Sequence, residues 1–103
     1  MNASGTFTVK NNRIEAIFKT NETTHSYYAT ITTAVEDCAG QATLSFYSTS
    51  SLDGTAMFNG RIGPDKLYMG LTRGVEISGT LDRSTSKEVD SFVGQGAWVI
   101  SGP

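Results

Sequence analysis

The chain has 103 residues, of which 38% are hydrophobic and 17% charged, and its formal net charge at pH 7 is -2. This length fits a single domain over residues 1–103 and leaves no room for separate cofactor and substrate domains. The slight acidic excess argues against nucleic acid and against a membrane as partners, because nucleic acids and anionic membranes attract basic surfaces.

Apolar and polar residues alternate with a period of two along most of the chain, a pattern that predicts β-strands. The first two strands flank Asn11-Asn12, a pair that favours a tight hairpin, and Arg73-Gly74 is short enough for another. Residues 82–90 form the longest predicted loop, with room for one short helical turn. The predicted strands, in chain order, are 6–10, 13–19, 26–36, 41–49, 55–61, 66–72, 75–82 and 92–100.

Eight strands joined by short links favour antiparallel pairing between strands that follow one another in the chain. The fold class that we predict is all-β, as a small eight-stranded antiparallel up-and-down barrel. Closing the sheet in this way removes exposed strand edges. Greek-key crossovers need longer connections than most of these links provide. A two-sheet β-sandwich is the alternative architecture.

One face of these strands is almost entirely apolar and carries no charge, so we assign it to the interior. An eight-stranded barrel is either filled by its side chains or holds one small ligand. Gly94 and Gly96 in the last strand predict a bulge or a tight bend, and they leave open whether Trp98 faces inward. The predicted interior residues are Phe7, Val9, Ile14, Ala16, Phe18, Tyr27, Ala29, Ile31, Thr33, Val35, Ala42, Leu44, Phe46, Ala56, Phe58, Leu67, Met69, Leu71, Val75, Ile77, Gly79, Leu81, Trp98 and Ile100.

The sequence has no phosphate-binding loop, no nucleophile elbow and no acidic metal cluster, so we predict no catalytic residues, no metal and no cofactor. A single cysteine, Cys38, excludes an intrachain disulfide, and one cysteine with one histidine excludes the usual zinc sites. Cys38 and His25 are formally a nucleophilic pair, although their neighbours give it no support. Glu76 lies in mid-strand and would be a candidate base only if it pointed into the barrel.

Aromatic residues with polar tips point to a ligand. Tyr27 and Trp98 offer a stacking surface and one hydrogen bond each, which suits a small, mostly apolar molecule. His25 would lie near the barrel mouth, and Phe58 and Met69 would complete the ligand-binding residues. The alternative is ordinary core packing, in which the Tyr27 hydroxyl and the Trp98 indole N–H form hydrogen bonds within the protein at the end of the barrel.

Three further tyrosines fall on the outward face of the predicted strands. Exposed aromatic residues accompanied by aliphatic ones predict an interface, so Tyr28, Tyr47 and Tyr68 are candidates for contacts in a homo-oligomer. Isolated exposure of each tyrosine is the alternative.

Two stretches resemble a known family. Ala3–Lys10, with the sequence ASGTFTVK, resembles the opening strand of small uncharacterised bacterial calycin-like β-barrel proteins. Met69-Gly70-Leu71 and Ile77–Asp82 are similar to the later strands of that family. The resemblance covers about a third of the chain, and it implies a closed barrel that oligomerises. It carries over no catalytic residue, and a shared barrel does not by itself define a function.

These observations favour a non-enzymatic small-barrel protein that binds a small, mostly apolar ligand. The alternative is a structural or interaction module that acts through oligomerisation. A third hypothesis is a barrel cyclase or isomerase that acts by confinement and uses His25, Tyr27 or Glu76. No signal peptide is visible at the N-terminus, so we expect a cytoplasmic protein if the chain is full length.

Overall fold

A computed structural model describes residues 1–102. It confirms the predicted fold class: eight antiparallel strands form a closed barrel. Short 3-10 turns occur at Thr49–Ser51 and Thr72–Gly74, and residues 86–90 do not form the helical turn for which the sequence has room. The strands are β1 (Asn2–Lys10), β2 (Arg13–Thr20), β3 (Thr23–Ile31), β4 (Cys38–Ser45), β5 (Thr55–Ile62), β6 (Lys66–Leu71), β7 (Val75–Leu81) and β8 (Val89–Ser101).

The strands alternate up and down around the barrel in the order β1-β2-β3-β8-β5-β6-β7-β4, and β4 closes on β1. Strands β4 and β8 therefore do not pair with the strands that precede them in the chain. Each half of the chain has three consecutive strands and a fourth that returns beside the first, which is a Greek-key arrangement. The connections 32–37, 46–54 and 82–88 join strands that are not neighbours, so each must cross an end of the barrel.

Both predicted tight hairpins are present. Asn11 and Asn12 have φ angles of 53° and 60°, and Arg73 and Gly74 have φ angles of 68° and 73°. Two consecutive residues with positive φ match the right-handed twist of the flanking strands, and asparagine and glycine adopt this conformation most readily.

The interior contains the predicted alternating face, with three corrections. Strand β3 ends at Ile31, so Thr33 is exposed and Val35 only packs against the core from the crossing connection. Ile100 lies at the rim of the barrel, where 48% of its surface is exposed. The structure adds buried residues that the pattern missed: Ala3, Leu52, Ile62 and Phe92.

Strand β8 passes Gly94 and Gly96 without a bulge. A bulge lies instead where β8 pairs with β5, between Gly60 and Ile62. A Cβ atom at Gly94 would lie 2.7 Å from Cε2 of Phe58 and against the carbonyl oxygen of Thr30. The glycine therefore makes room for an aromatic ring inside the barrel.

A carboxylate joins two of the crossing connections at the end of the barrel opposite His25. Glu36 Oε2 accepts hydrogen bonds from the Ser86 backbone N–H at 2.9 Å, from the Ser86 hydroxyl at 2.9 Å and from the Lys87 backbone N–H at 3.0 Å. These bonds lower the pKa of Glu36, the Ser86 hydroxyl having the largest effect. Over the described part of the chain, no helix is long and apolar enough to cross a membrane.

Candidate functional site at one end of the barrel

The 46–54 connection closes the end of the barrel at which β3 begins and β8 ends. It carries the chain from β4 to β5, which are not paired, so it lies across this end rather than along the rim. Its residue Leu52 is fully buried, although the residues on either side are polar and partly or fully exposed. Leu52 therefore plugs this end of the barrel. A single leucine within the polar stretch 48–54 was the sequence signal for this role, and the pattern analysis missed it.

At this end of the barrel, the structure brings together three of the predicted ligand-binding residues. Tyr27 on β3 pairs with Trp98 on β8, and the centroids of their rings are 5.1 Å apart. His25 lies two residues before Tyr27 on the same face, diagonal to Trp98 and within reach of an aromatic side chain. All three are buried, which also shows that Trp98 faces inward.

The segment 52–56 contacts each of these three residues. The Tyr27 hydroxyl donates to the Ala56 carbonyl oxygen at 2.8 Å. The Trp98 backbone N–H donates to the Gly54 carbonyl oxygen, also at 2.8 Å. The Leu52 carbonyl lies close enough to His25 to affect its pKa. The site is therefore built from β3 and β8 and covered by the end of one connection.

Two polar atoms of this site lack a partner. They are His25 Nδ1 and Trp98 Nε1, and within residues 1–102 no other fully buried side-chain nitrogen or oxygen is without a hydrogen bond. His25 is 3% exposed and Trp98 6%. An unpaired buried polar atom costs on the order of 1–3 kcal/mol, so each such atom in a folded protein calls for an explanation such as a bound water or a functional role.

His25 is held neutral by its surroundings. Its Nε2 forms a hydrogen bond of 2.9 Å with Thr20 Oγ1, a partner that no sequence pattern indicates. Burial lowers the pKa of His25, and the nearby Leu52 carbonyl opposes this effect only in part. The carbonyl lies close to the ring but makes no hydrogen bond of regular geometry with Nδ1.

We expect the free energy of unfolding to decrease as the pH falls below 6.5, the ordinary pKa of histidine. The unfolded chain then binds a proton that the folded chain resists, at a cost of at most about 1.4 kcal/mol per pH unit. Urea unfolding between pH 7.5 and 5 measures the loss, and His25→Asn should remove it. Because His25 is the single histidine, its NMR titration gives the folded pKa directly, and a value at or above 6.5 would contradict this account.

The remaining predicted ligand-binding residues lie deeper. Phe58 on β5 packs edge-on against Tyr27, with ring centroids 6.3 Å apart, and also contacts the ring of Phe92. Met69 on β6 is fully buried, two strands away from β8. Burial raises the pKa of Tyr27 to about 12, so its hydroxyl stays protonated at neutral pH and acts as a donor.

No family model, curated protein or solved structure matches the chain. What the site can bind therefore follows from its own side chains. They supply aromatic walls, one indole donor and one neutral imidazole, and no charged group. Among the described residues, no group of His, Cys, Asp and Glu has the geometry to hold a metal ion.

The two other residues considered for a catalytic role, Glu76 and Cys38, do not belong to this site. Glu76 is on the outer face, where it accepts a hydrogen bond of 2.9 Å from the Tyr68 hydroxyl, so it cannot serve as a base inside the barrel. Cys38 begins β4 and pairs with Val9 at the end of β1, at the end of the barrel opposite His25. Burial, aided by the carboxylates of Asp37 and Glu36, raises the pKa of the Cys38 thiol to about 11. A Cys38–His25 pair is therefore excluded.

The three tyrosines proposed for an interface do not share a face. Tyr28 projects from β3, Tyr68 from β6 and Tyr47 from the start of the 46–54 connection, where 81% of its surface is exposed. The main surface hollows of the molecule lie on the outside of the barrel, and none is lined by His25 or Trp98.

Proposed function

We propose that this protein is a non-enzymatic binding protein that holds a small, mostly apolar ligand at the end of the barrel plugged by Leu52. The observation that supports it best is the pair of unpartnered buried nitrogens, His25 Nδ1 and Trp98 Nε1, beside the aromatic ring of Tyr27. The relation to calycin-like barrels stays a prediction. A cyclase or isomerase is less well supported, because Glu76 faces outward.

The ligand would take the place of the Leu52 side chain. The 46–54 connection is held on the outside by Arg73, whose guanidinium donates to the carbonyl oxygens of Ser50 and Asp53 and pairs with the Asp53 carboxylate at 3.0 Å. The side chains of Arg73 and Asp53 are 45% and 58% exposed, so the ion pair adds at most about 1 kcal/mol. Opening this end would therefore require Leu52 to leave the core and the hydrogen bonds of the connection to break.

Native mass spectrometry of freshly purified protein, combined with the fluorescence of the single tryptophan, tests the proposal. We expect a non-covalent added mass that is lost on denaturation, and a change in Trp98 emission when this molecule is removed and returned. The variant Arg73→Ala should accelerate exchange of the molecule, whereas Arg83→Ala, outside this end of the barrel, should not. A bound mass that leaves Trp98 emission unchanged would place the ligand elsewhere and contradict the proposal.

A second candidate function is an interaction module that forms homo-dimers. The outward side chains of β3, of residues 93–99 in β8 and of residues 55–59 in β5 carry no charge, and four large apolar ones among them are exposed: Tyr28 by 44%, Met57 by 62%, Val93 by 49% and Val99 by 52%. We call this face the outer patch. It consists of Ser26, Tyr28, Thr30, Thr55, Met57, Asn59, Val93, Gln95, Ala97 and Val99.

The partner that we propose for the outer patch is a second copy of the chain. In a two-fold symmetric dimer the same face of both copies is in contact, and two uncharged faces do not repel each other electrostatically. Specific interfaces use about 20–30 residues from each partner, so these ten side chains favour a weak dimer. Sedimentation over a concentration series should show a dimer that Met57→Lys abolishes and Thr43→Lys, on the outer face of β4, does not. A strict monomer at millimolar concentration would contradict this second function.

A further inference from the structure

We infer that the ligand of the barrel-end site is a neutral molecule of about one ring, with a single hydrogen-bond acceptor oxygen on an otherwise apolar body. This inference rests on the proposed function and specifies the chemical class of its ligand. Trp98 requires the acceptor, the aromatic walls favour a ring, and the absence of charged residues from the barrel interior favours a neutral ligand.

Trp98 defines the acceptor. The indole N–H is a donor and never an acceptor, so only an acceptor can satisfy it. In the closed barrel the indole N–H has no hydrogen-bond partner, and only 6% of the surface of Trp98 is exposed. A carbonyl or ether oxygen arriving with the ligand would restore a hydrogen bond that the protein alone does not make.

His25 is compatible with an acceptor oxygen on the ligand but does not require one. Its Nε2 bonds to the hydroxyl of Thr20, which can donate or accept, so the neutral ring can present Nδ1 in either form. With the proton on Nδ1, the imidazole would be a second donor at this end of the barrel, close to the Leu52 carbonyl. One oxygen atom has two lone pairs, so a single acceptor has the capacity for two donors.

The surroundings of the site select against ions. Among residues 1–102, the buried polar residues are His25 and Ser26, and every lysine, arginine, aspartate and glutamate lies outside the core. A charged ligand would lose its hydration without gaining a counter-charge, which is far more costly than burying a paired polar group. A carboxylate or an amine in its charged form is therefore disfavoured relative to a ketone or an ether.

The side chain of Leu52 sets the size of the ligand that this end of the barrel can hold. Displacing Leu52 frees the volume of one leucine side chain, and cavities left by a missing leucine accept molecules such as benzene. The rings of Tyr27 and Trp98 are inclined at 49° to each other and line the space with aromatic surface. A single aromatic or alicyclic ring therefore matches the space better than a long chain.

Two probes of nearly equal shape test this inference: acetophenone, which has a ketone oxygen, and isopropylbenzene, which has none. Ligand-detected NMR titrations would be carried out with the wild-type chain, with Trp98→Phe, and with Tyr68→Phe as a control that removes a hydroxyl from the outer surface. We expect the affinity ratio of ketone to hydrocarbon to fall about fivefold in Trp98→Phe, the loss of about one hydrogen bond, and to be unchanged in Tyr68→Phe.

The outcomes separate the two proposals. If both probes bind but the ratio is the same in Trp98→Phe, the acceptor inference is wrong while the binding function stands. If neither probe binds to the wild-type protein or to Leu52→Ala, in which the space is already open, the barrel-end site itself is wrong. Preferential binding of benzoate over acetophenone would overturn the inference that the ligand is neutral.

Discussion

Replacing Leu52 by alanine should lower the free energy of unfolding by about 2–5 kcal/mol, because the side chain is fully buried and its removal leaves a cavity that the connection can only partly fill. The same substitution should increase the affinity for a benzene-sized probe, since the space beneath the 46–54 connection no longer has to be vacated. Urea unfolding followed by Trp98 fluorescence measures the first effect, and NMR titration with benzene measures the second.

Tyr47→Ala is the matched control for Leu52→Ala, because Tyr47 belongs to the same connection but is 81% exposed. We expect its stability to change by less than about 0.5 kcal/mol and its affinity for benzene to be that of the wild type. A loss of less than about 1 kcal/mol in Leu52→Ala would show that Leu52 does not plug the barrel in solution.

Gly94→Ala should destabilise the barrel by about 1–3 kcal/mol or more through overpacking. The new methyl group would lie 2.7 Å from the Phe58 ring and against the backbone of Thr30, and backbone cannot move away as a flexible side chain can. Thermal or urea unfolding measures the loss. The near-ultraviolet circular dichroism should also change, because Phe58 packs against Tyr27.

Gly70→Ala provides the comparison. Gly70 also lies within a strand, but a methyl group there would find its nearest atoms at 3.6 Å, an ordinary contact. Alanine is favoured over glycine by about 0.5–1 kcal/mol inside a strand, so Gly70→Ala should be neutral or slightly stabilising. Equal losses at Gly70 and Gly94 would indicate that backbone flexibility, rather than the approach of Phe58, decides the effect.

Much of the architecture was predictable because it depends on local preferences. Alternation of apolar and polar residues reports which face of a strand is buried, and the Asn11-Asn12 pair favours the positive φ angles that both residues adopt. The same signal is misleading where a strand ends. Thr33 and Val35 continue the alternation, yet the chain leaves the sheet after Ile31 to cross the barrel end.

The candidate site was predictable in part. The pattern identified Tyr27, Trp98 and His25, which the structure places together, but it could not decide whether Trp98 faces inward. That orientation depends on the register of β8 against β3, since a shift of one residue turns every side chain to the opposite face. Tyr28, Tyr47 and Tyr68 lie on different parts of the barrel for a similar reason. The alternation within one strand predicts that a side chain points outward, but the position of that strand around the barrel depends on pairing between distant segments.

The sequence by itself determined an all-β barrel of eight antiparallel strands, an uncharged interior and two tight hairpins, because each follows from the periodicity and backbone preferences of short segments. Only the tertiary structure decided that β4 and β8 pair outside their chain order. That choice depends on pairing between distant segments, which no local pattern encodes. It sends the 46–54 connection across the end of the barrel, so Leu52 becomes a plug where a sequential barrel would have had an open rim.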